Sequence, residues 1–268
     1  MHTPGYWRQE IRVGRWRRPT AGLAPGYIQA NLVVVPEAEA ADFLLFCERN
    51  PEPCPLIEVT RPGDPEPRAS APEADLRTDV PRYRLYIDGE LADERDTLRE
   101  VWRSDLVAFL LGCSFSFEEA LERAGMPVRH IQRRTNVAMF VTNRPCEAAG
   151  RFHGPLVVSM RPFAEADVPR VVAITRRYPQ AHGAPVHIGD PDALGIQDLH
   201  RPDFGDPVPV EPDEVPVFWA CGVTPQAVAR SVRLPLMMTH APGHMFITDL
   251  KADRLADAGA QPTSTAVG

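Results

Sequence analysis

Four histidines lie in two loops punctuated by glycine and proline, and they are the first candidates for acid–base chemistry. His182 and His187 belong to HGAPVHIGD, and His240 and His244 belong to THAPGHM. An imidazole titrates near neutral pH, so it can both accept and donate a proton at a reaction centre. The last two have the spacing of helical metal ligands, but the Pro-Gly pair between them argues against a helix. A loop that joined both rings with Cys221 or an aspartate would still make a metal site, which is one alternative.

Arg161 follows the apolar stretch PLVVSM, and an arginine at that point fits either of two roles. It can clamp a carboxylate with two parallel hydrogen bonds, or it can form a structural ion pair. Asp190, three residues after His187, is in the same way either a substrate-binding group or a turn and cap residue. The residues alone do not decide between the two roles of Arg161 or between the two roles of Asp190.

Two stretches share a pattern in which a cysteine stands three residues before a hydroxyl at the start of an expected helix. Cys113 precedes Ser116, with Ser114 between them, and Cys221 precedes Thr224. Ser116 and Thr224 are the expected N-caps, so both helix starts would offer backbone N–H groups to an anion. A helix dipole lowers the pKa of a nearby thiol, which makes the two cysteines candidate nucleophiles. Buried packing cysteines are the alternative.

The chain lacks the common motifs for nucleotide binding and for a serine nucleophile. No GxGxxG follows a strand, and neither GxxxxGK[ST] nor GxSxG occurs. We therefore predict no cofactor and no bound metal.

The secondary structure that must position these candidates can be predicted from the apolar pattern. Apolar runs typical of strands alternate with helical patterns along the chain, which indicates an α/β protein. Strands are predicted at 31–35, 55–59, 82–87, 136–141, 155–160, 215–221 and 244–248, and helices after Pro36, over 94–111 and over 164–178. Asp88 and Gly89 mark a turn, and the Pro-, Gly- and acid-rich stretch 60–77 is an expected loop.

The expected architecture is a mixed α/β protein with two subdomains and a cleft between them. One subdomain comprises about 1–127 plus 215–251, the other about 128–214, and 252–268 form a disordered tail. The candidate residues should line one pocket, because a core does not tolerate unpaired polar groups.

Length and composition describe an ordinary globular chain of 268 residues, 44% hydrophobic and 24% charged. The formal net charge of −7 argues against a nucleic-acid partner. The local exception is a group of arginines for which ion pairs or a solvated face are expected: Arg8, Arg12, Arg15, Arg17 and Arg18.

The location of the protein also follows from what the sequence lacks. No run approaches the roughly 18 apolar residues of a membrane span, and the N-terminus has no apolar signal core. We therefore expect a cytoplasmic protein without a membrane partner. Five cysteines without a CxxC pair fit reduced thiols. The oligomeric state stays open.

Motifs along nearly the whole chain, up to about Leu250, resemble those of the D-glutamate cyclase family, whose bacterial members are mostly described as hydro-lyases of unknown substrate. The matching stretches run in family order: TAGLAPGYIQANLVVVP (20–36), CPLIEV (54–59), RTDVPRYRLYIDGEL (77–91), GCSFSFEEAL (112–121), FHGPLVVSMRP (152–162), HGAPVHIGDPDALGIQDL (182–199), PDFGD (202–206), VPVFWACGVTPQ (215–226) and HAPGHMFITDL (240–250). The resemblance implies one family domain over 1–251 and an enzyme that removes water from a small amino- or hydroxy-carboxylate. Its family name implies conversion of D-glutamate to 5-oxo-D-proline.

Such a cyclisation needs a neutral amine, a neutralised carboxyl and an acid that helps an oxygen leave as water. The histidines would transfer the protons, the helix starts would stabilise the oxyanion, and Arg161 would hold the second carboxylate. Under this hypothesis the catalytic candidates are His187, His240, His244, Cys113 and Cys221, and the substrate-binding candidates are Arg161, Ser114, Ser116, Thr224 and Asp190. The alternatives are a metal-dependent enzyme using His240 and His244, and a non-catalytic protein that binds a small carboxylate.

Overall fold

The computed structural model describes residues 2–253 and contains two antiparallel β-sheets with helices packed around them. The strands are β1 (Tyr27–Pro36), β2 (Leu56–Val59), β3 (Tyr83–Ile87), β4 (Glu90–Arg95), β5 (Leu106–Gly112), β6 (Ala138–Pro145), β7 (Pro155–Ala164), β8 (His187–Ile188), β9 (Glu214–Ala220), β10 (Leu236–His240) and β11 (Phe246–Lys251). The α-helices are α1 (Pro4–Arg12), α2 (Glu37–Arg49), α3 (Phe115–Arg123), α4 (Arg129–Arg133), α5 (Val168–Thr175) and α6 (Thr224–Ser231). The predicted mixed α/β class is confirmed.

The larger sheet has the strand order β2-β5-β1-β10-β3-β4, and β11 also pairs with β1. β1 is the central strand, and its register with β5 is continuous from the pair Ala30 and Gly112 to the pair Pro36 and Leu106. The interior of β1 is buried throughout because both faces of the sheet are covered, which explains the apolar run LVVV over 32–35. This register sets the end of β5, and therefore the start of α3, beside the first residues of β1.

The smaller sheet has the strand order β6-β7-β9-β8. In the β7–β9 register, Ser159 lies opposite Trp219 and Arg161 lies opposite Val217. Alternate residues of a strand share a face, so Ser159 and Arg161 point to the same side of the sheet. Met160 and Phe218 form part of the apolar cluster on the other side.

The two helix starts singled out in the sequence meet where the two sheets approach each other. α3 follows β5, and α6 follows β9, after loops of two and three residues. Cys113 and Cys221 belong to one apolar cluster with Val157 of β7 and with Met245. The junction of the sheets is therefore also the junction of α3 and α6.

The predicted helix over 94–111 is wrong, because the chain forms β4 and β5 there, joined by a loop. β5 is buried on both faces, so its run LVAFLLG shows no alternation that would separate a strand from a buried helix. The predicted Asp88-Gly89 turn joins β3 to β4. Both of its residues have positive φ, 51° and 79°, as a tight two-residue hairpin turn requires.

The two sheets divide the chain differently from the predicted subdomains. β9 pairs inside the smaller sheet, whereas the prediction assigned residues from 215 onward to the first subdomain. The chain returns to the larger sheet with β10. Ala252, the first residue of the predicted tail, is buried and donates its N–H to the carbonyl of Gly26. The predicted tail beyond Asp253 lies outside the described residues.

Four of the five N-terminal arginines form ion pairs with carboxylates: Arg8 with Asp249, Arg12 with Asp79, Arg15 with Glu10, and Arg17 with Asp96. The fifth, Arg18, stacks on the Trp16 ring with its guanidinium carbon 4.3 Å from the ring centroid. The five cysteines are free thiols. Among the described helices, none combines the length and apolarity needed to cross a bilayer.

Candidate active site

A buried charged cluster centred on Arg161 lies between α3 and β7. The guanidinium of Arg161 donates to Oε1 of Glu118 from Nε at 3.0 Å and from Nη2 at 2.6 Å. It also donates to the hydroxyls of Ser114 at 2.8 Å and Ser159 at 3.1 Å. Both charged side chains are only 1% exposed. The structure thus gives Arg161 the ion-pair role, and both serines accept further hydrogen bonds from it.

Local geometry explains why these four side chains meet. Ser114 and Glu118 are four residues apart at the start of α3, so they share one helix face. Ser159 and Arg161 are two apart on β7 and share one strand face. The guanidinium carbon of Arg161 also lies 5.5 Å from the ring centroids of both Phe117 and Trp219, which pack around the charge.

His130 of α4 completes the cluster. Its Nε2 lies 3.1 Å from Oε1 of Glu118, an ion-pair distance, although the N–H does not point at that oxygen well enough for a directed hydrogen bond. Burial raises the pKa of Glu118, but His130 and Arg161 outweigh burial and lower that pKa below its ordinary value. Glu118 is therefore a buried carboxylate that stays ionised near neutral pH.

A surface cavity of about 290 Å³, which we call the outer depression, adjoins this cluster. It is lined by Trp16, Arg18, Pro19, Ala21, His130, Ile131, Arg134 and Thr135. Within residues 2–253, neither Arg18 nor Arg134 has a carboxylate within ion-pair distance. The hydroxyl of Thr135 is buried without a hydrogen-bond partner. Two unpaired guanidinium groups and an imidazole thus border one small cavity in an otherwise acidic protein.

A second, more enclosed space of about 50 Å³, which we call the inner cavity, also has Ile131 in its lining. The rest of its lining comprises segment 22–27 together with Gln29, Phe115, Ser116, Glu118, Glu119 and Glu122. Two buried oxygens of these residues, Oε1 of Gln29 and Oε2 of Glu118, have no hydrogen-bond partner. The two spaces share Ile131 as a wall.

The predicted N-caps, Ser116 and Thr224, bind neighbouring strands instead of capping their helices. α3 begins at Phe115, and α6 begins at Thr224 itself. Ser116 Oγ accepts from the N–H of Gln29 at 3.1 Å and donates to the carbonyl of the same residue at 3.4 Å. Thr224 Oγ1 accepts from the N–H of Val157 at 3.0 Å. In both places the hydroxyl residue therefore joins the start of its helix to a neighbouring strand.

Cys113 and Cys221 lie near these helix starts, but their pKa values move opposite to the expected direction. Burial raises the pKa of Cys221 to about 11 and raises the pKa of Cys113 further still. Both thiols are less than 10% exposed and belong to an apolar cluster. Desolvation outweighs any helix-dipole effect, so the geometry matches packing cysteines.

His240 and His244 are held by the backbone in the larger sheet and its following turn. Nδ1 of His240 accepts from the N–H of Leu32 at 3.1 Å, and Nδ1 of His244 lies 3.0 Å from the carbonyl of Pro242. Burial lowers the pKa of both histidines, that of His240 to about 4. In the described part of the chain, no three His, Cys, Asp or Glu side chains gather as metal ligands. The proposed trio with Cys221 is therefore not assembled.

His187 and Asp190 lie at the edge strand of the smaller sheet, away from Arg161. His187 pairs with Phe218 across β8 and β9, and its ring lies 5.9 Å from the ring of that residue, on the sheet face opposite Arg161. Nε2 of His187 contacts the carbonyl of Asp190 at 2.6 Å, and the carboxylate of Asp190 caps the short 3₁₀-helix Pro191–Leu194. Asp190 is therefore a cap residue here, which is one of the two roles that the sequence left open.

The structure therefore brings together Arg161, Ser114 and Ser116 with the two cysteines, and it leaves the three predicted catalytic histidines elsewhere. Sequence reasoning missed Glu118 and His130. The four-residue spacing of Ser114 and Glu118, which puts both on one helix face, is the signal that could have identified Glu118. His130 sits in a five-residue helix within RHIQRR, and its sequence context offered no comparable signal.

These features define a two-sheet α/β protein with a buried Arg–Glu–His cluster beside a small, positively charged cavity. The chain belongs to the D-glutamate cyclase family, because the family model described as D-glutamate cyclase matches residues 107–249 and relatives match over nearly its whole length. A relative from Geobacillus kaustophilus is 60% identical over 92% of this chain and 94% of its own. One from Rubrobacter xylanophilus is 62% identical over 90% and 93%. Both carry the name "putative hydro-lyase".

Membership confirms the predicted family and the predicted enzyme class, a lyase that acts on a small molecule. Among solved structures, a nitrogen repressor-like protein from Methanococcus jannaschii aligns over 91% of this chain and 98% of its own. Its TM-score is 0.37 at 9% identity, which carries no argument about function.

Proposed function

We propose that the outer depression binds a small amino- or hydroxy-carboxylate and that His130 transfers protons as water is lost from it. D-Glutamate, converted to 5-oxo-D-proline, is the substrate that the family description suggests. The observation that carries the proposal is the position of His130. It lines a cavity that two unpaired arginines also line, and its Nε2 lies 3.1 Å from a buried carboxylate.

The arginines supply the substrate's anchor. Arg18 and Arg134 have no competing carboxylate in the described chain, so a substrate carboxylate would be their first ion-pair partner at this site. Arg161, the anchor expected from the sequence, already donates four hydrogen bonds to Glu118, Ser114 and Ser159. A cavity of about 290 Å³ suits a ligand of a few carbons rather than a nucleotide.

The cluster behind His130 gives the imidazole a fixed electrostatic partner. In cyclisation, the amine nitrogen forms a bond to the side-chain carboxyl carbon, one carbon–oxygen bond breaks, and the departing oxygen leaves as water after protonation. A proton leaves nitrogen and a proton reaches oxygen, so one group that alternates between acid and base serves both transfers. Glu118 places a negative charge 3.1 Å from the imidazole throughout that cycle, and Arg161 helps to keep Glu118 ionised.

The test is product formation by the full-length protein. D-Glutamate, L-glutamate and a panel of small hydroxy acids are incubated with EDTA-treated and metal-loaded samples, and products are separated by chromatography. We expect water loss from at least one of them, and we expect His130→Gln to lower turnover about 10²-fold or more. His187→Gln is the matched control, because that histidine lies on the far side of the smaller sheet.

Two results would contradict the proposal. Product formation with full activity in His130→Gln would place the chemistry elsewhere. Binding of a carboxylate without any turnover would instead identify a carboxylate-binding protein.

A further inference from the structure

The outer depression is lined by two segments of the chain, 16–21 and 130–135, and both are tied to one turn. This turn comprises residues 241–245 between β10 and β11, and we call it the β10–β11 turn. Both of its flanking strands pair with β1, the central strand of the larger sheet. The N–H of His244 donates to the carbonyl of Ala241 at 2.9 Å, which closes the turn on itself. The turn is therefore a fixed point beside the depression.

Thr20 ties the first segment to the turn. Its hydroxyl accepts from the N–H of Met245 at 3.0 Å and donates to the carbonyl of Gly243 at 3.2 Å. The N–H of Thr20 donates to the same carbonyl at 2.9 Å. Thr20 is fully buried, so no water can replace these bonds when they are lost.

Arg18 is held on the same segment. The indole N–H of Trp16 donates to the carbonyl of Arg18 at 2.9 Å, and the guanidinium of Arg18 stacks on the Trp16 ring. The ring of His244 also reaches this segment. Burial lowers the pKa of His244, whereas hydrogen bonds of the ring to the backbone of Pro242 and of Arg17 raise that pKa. The position of the turn therefore sets the position of the segment that carries Arg18.

Asn136 ties the second segment to the turn, because it follows Thr135 directly. Its Nδ2 donates to the carbonyl of Pro242 at 2.9 Å. Its amide lies where Gly243 has no side chain, since a Cβ at that glycine would lie 2.1 Å from Oδ1 of Asn136. Arg134 is two residues away, so the turn also holds the segment that carries the second arginine.

We propose that the β10–β11 turn sets the separation of Arg18 and Arg134, and that Thr20 and Asn136 are positioning residues for the carboxylate that the outer depression binds. Neither Thr20 nor Asn136 lines the depression, so each acts through an arginine of its segment. Fixing two segments before a ligand arrives reduces the entropy that binding costs. This inference rests on the proposed function for the nature of the ligand.

The experiment measures the dissociation constant of D-glutamate by isothermal titration calorimetry on the full-length protein. Thr20→Val keeps the shape of the side chain and removes the two hydrogen bonds of the hydroxyl. We expect it to raise the dissociation constant about fivefold, because Arg18 is then less well positioned. Thr20→Ser keeps the hydroxyl and should restore the affinity of the wild type.

Thr248→Val is the matched control. Thr248 is also fully buried, and its hydroxyl likewise donates to a carbonyl, that of Ile28 at 2.9 Å, and accepts from an N–H, that of Leu250 at 3.3 Å. Both partners lie outside the two segments, so this variant should lower the Tm about as much as Thr20→Val does without changing the dissociation constant. An unchanged dissociation constant in folded Thr20→Val, or an equal rise in Thr248→Val, would overturn the inference.

A double-mutant cycle tests whether Thr20 acts through Arg18. In the Arg18→Gln background, Thr20→Val should raise the dissociation constant further by less than about twofold, because the group that it positions is gone. A full fivefold rise in that background would overturn the positioning role. If Thr20→Val does not fold, Asn136→Ala in the wild-type and Arg134→Asn backgrounds gives the same comparison for the second segment.

Failure of this inference and failure of the proposed function give different results. Binding of D-glutamate that weakens in Thr20→Val, without turnover in any sample, supports the positioning role and contradicts the hydro-lyase proposal. Turnover with the same KM in the wild type and in Thr20→Val supports the hydro-lyase and overturns the positioning role. Absence of D-glutamate binding by the wild type overturns both.

Discussion

Both hydrogen bonds from Arg161 to Glu118 end on the same oxygen, Oε1, at 3.0 and 2.6 Å. The pair therefore does not form the symmetric fork in which each nitrogen meets its own oxygen. One oxygen is saturated and the other is left for a different partner. This asymmetry leaves Oε2 of Glu118 buried without a hydrogen-bond partner.

The first prediction concerns the stability that depends on this pair. Glu118→Leu leaves the buried guanidinium without its counter-charge, so it should lower the free energy of unfolding by about 3–5 kcal/mol. The double variant Glu118→Leu, Arg161→Met removes both charges and should regain most of that loss. Urea denaturation at pH 7.5 measures both.

A matched control for that prediction is Arg103→Ala, which breaks the exposed pair of Arg103 with Asp105. Its effect should be far smaller, because solvent screens exposed charges. A Glu118→Leu protein as stable as the wild type would contradict the importance given to the pair.

The second prediction concerns acid sensitivity. Burial lowers the pKa of both His182 and His240 to about 4, from an ordinary value near 6.5. Between these values the unfolded chain binds protons that the folded chain does not, so stability rises with pH. Falling pH should therefore cost stability progressively from about pH 6.5 to pH 4, by roughly 3 kcal/mol per histidine.

Denaturation midpoints at several values between pH 7.5 and pH 4.5 would measure that slope. His182→Asn is the informative variant, because His182 has a φ of 77° and asparagine tolerates this left-handed conformation. The variant should show a shallower dependence on pH than the wild type. An unchanged slope would mean that His182 does not stay neutral on folding.

The third prediction concerns the carboxylate anchor. Arg18→Gln and Arg134→Asn should each raise KM about tenfold with a smaller change in kcat, because they remove a charged contact made before the reaction. Asparagine is chosen at position 134 since that residue has a φ of 57°. Arg133→Asn, at an exposed neighbour that does not line the outer depression, should leave KM unchanged.

The fourth prediction concerns the two cysteines near the helix starts. Cys113→Ala and Cys221→Ala should retain turnover, because burial keeps both thiols protonated and their geometry is that of packing residues. Half-buried Cys146 should react with a thiol reagent before either of them. Loss of turnover in a folded Cys113→Ala or Cys221→Ala variant would restore the nucleophile hypothesis.

Several elements could be predicted because their pattern is local. The apolar run at 31–35 lies within β1, and the helix after Pro36 is α2 with Phe43 and Cys47 buried. The lengths of the strands and their registers were harder to predict from the sequence. β5 has the composition of a buried segment of either kind, and only its pairing with β1 decides that it is a strand.

The sequence by itself determined the family, the lyase class and the mixed α/β character, because motifs and apolar periodicity are properties of consecutive residues. It also indicated Arg161, Ser114 and Ser116 as candidate substrate-binding residues. Only the tertiary structure decided that Arg161 is bound to Glu118, that His130 lies beside them, and that His187 lies on the opposite side of a sheet. Those relationships join residues 12 to 43 positions apart in the chain, and they depend on strand register and helix docking that no local pattern encodes.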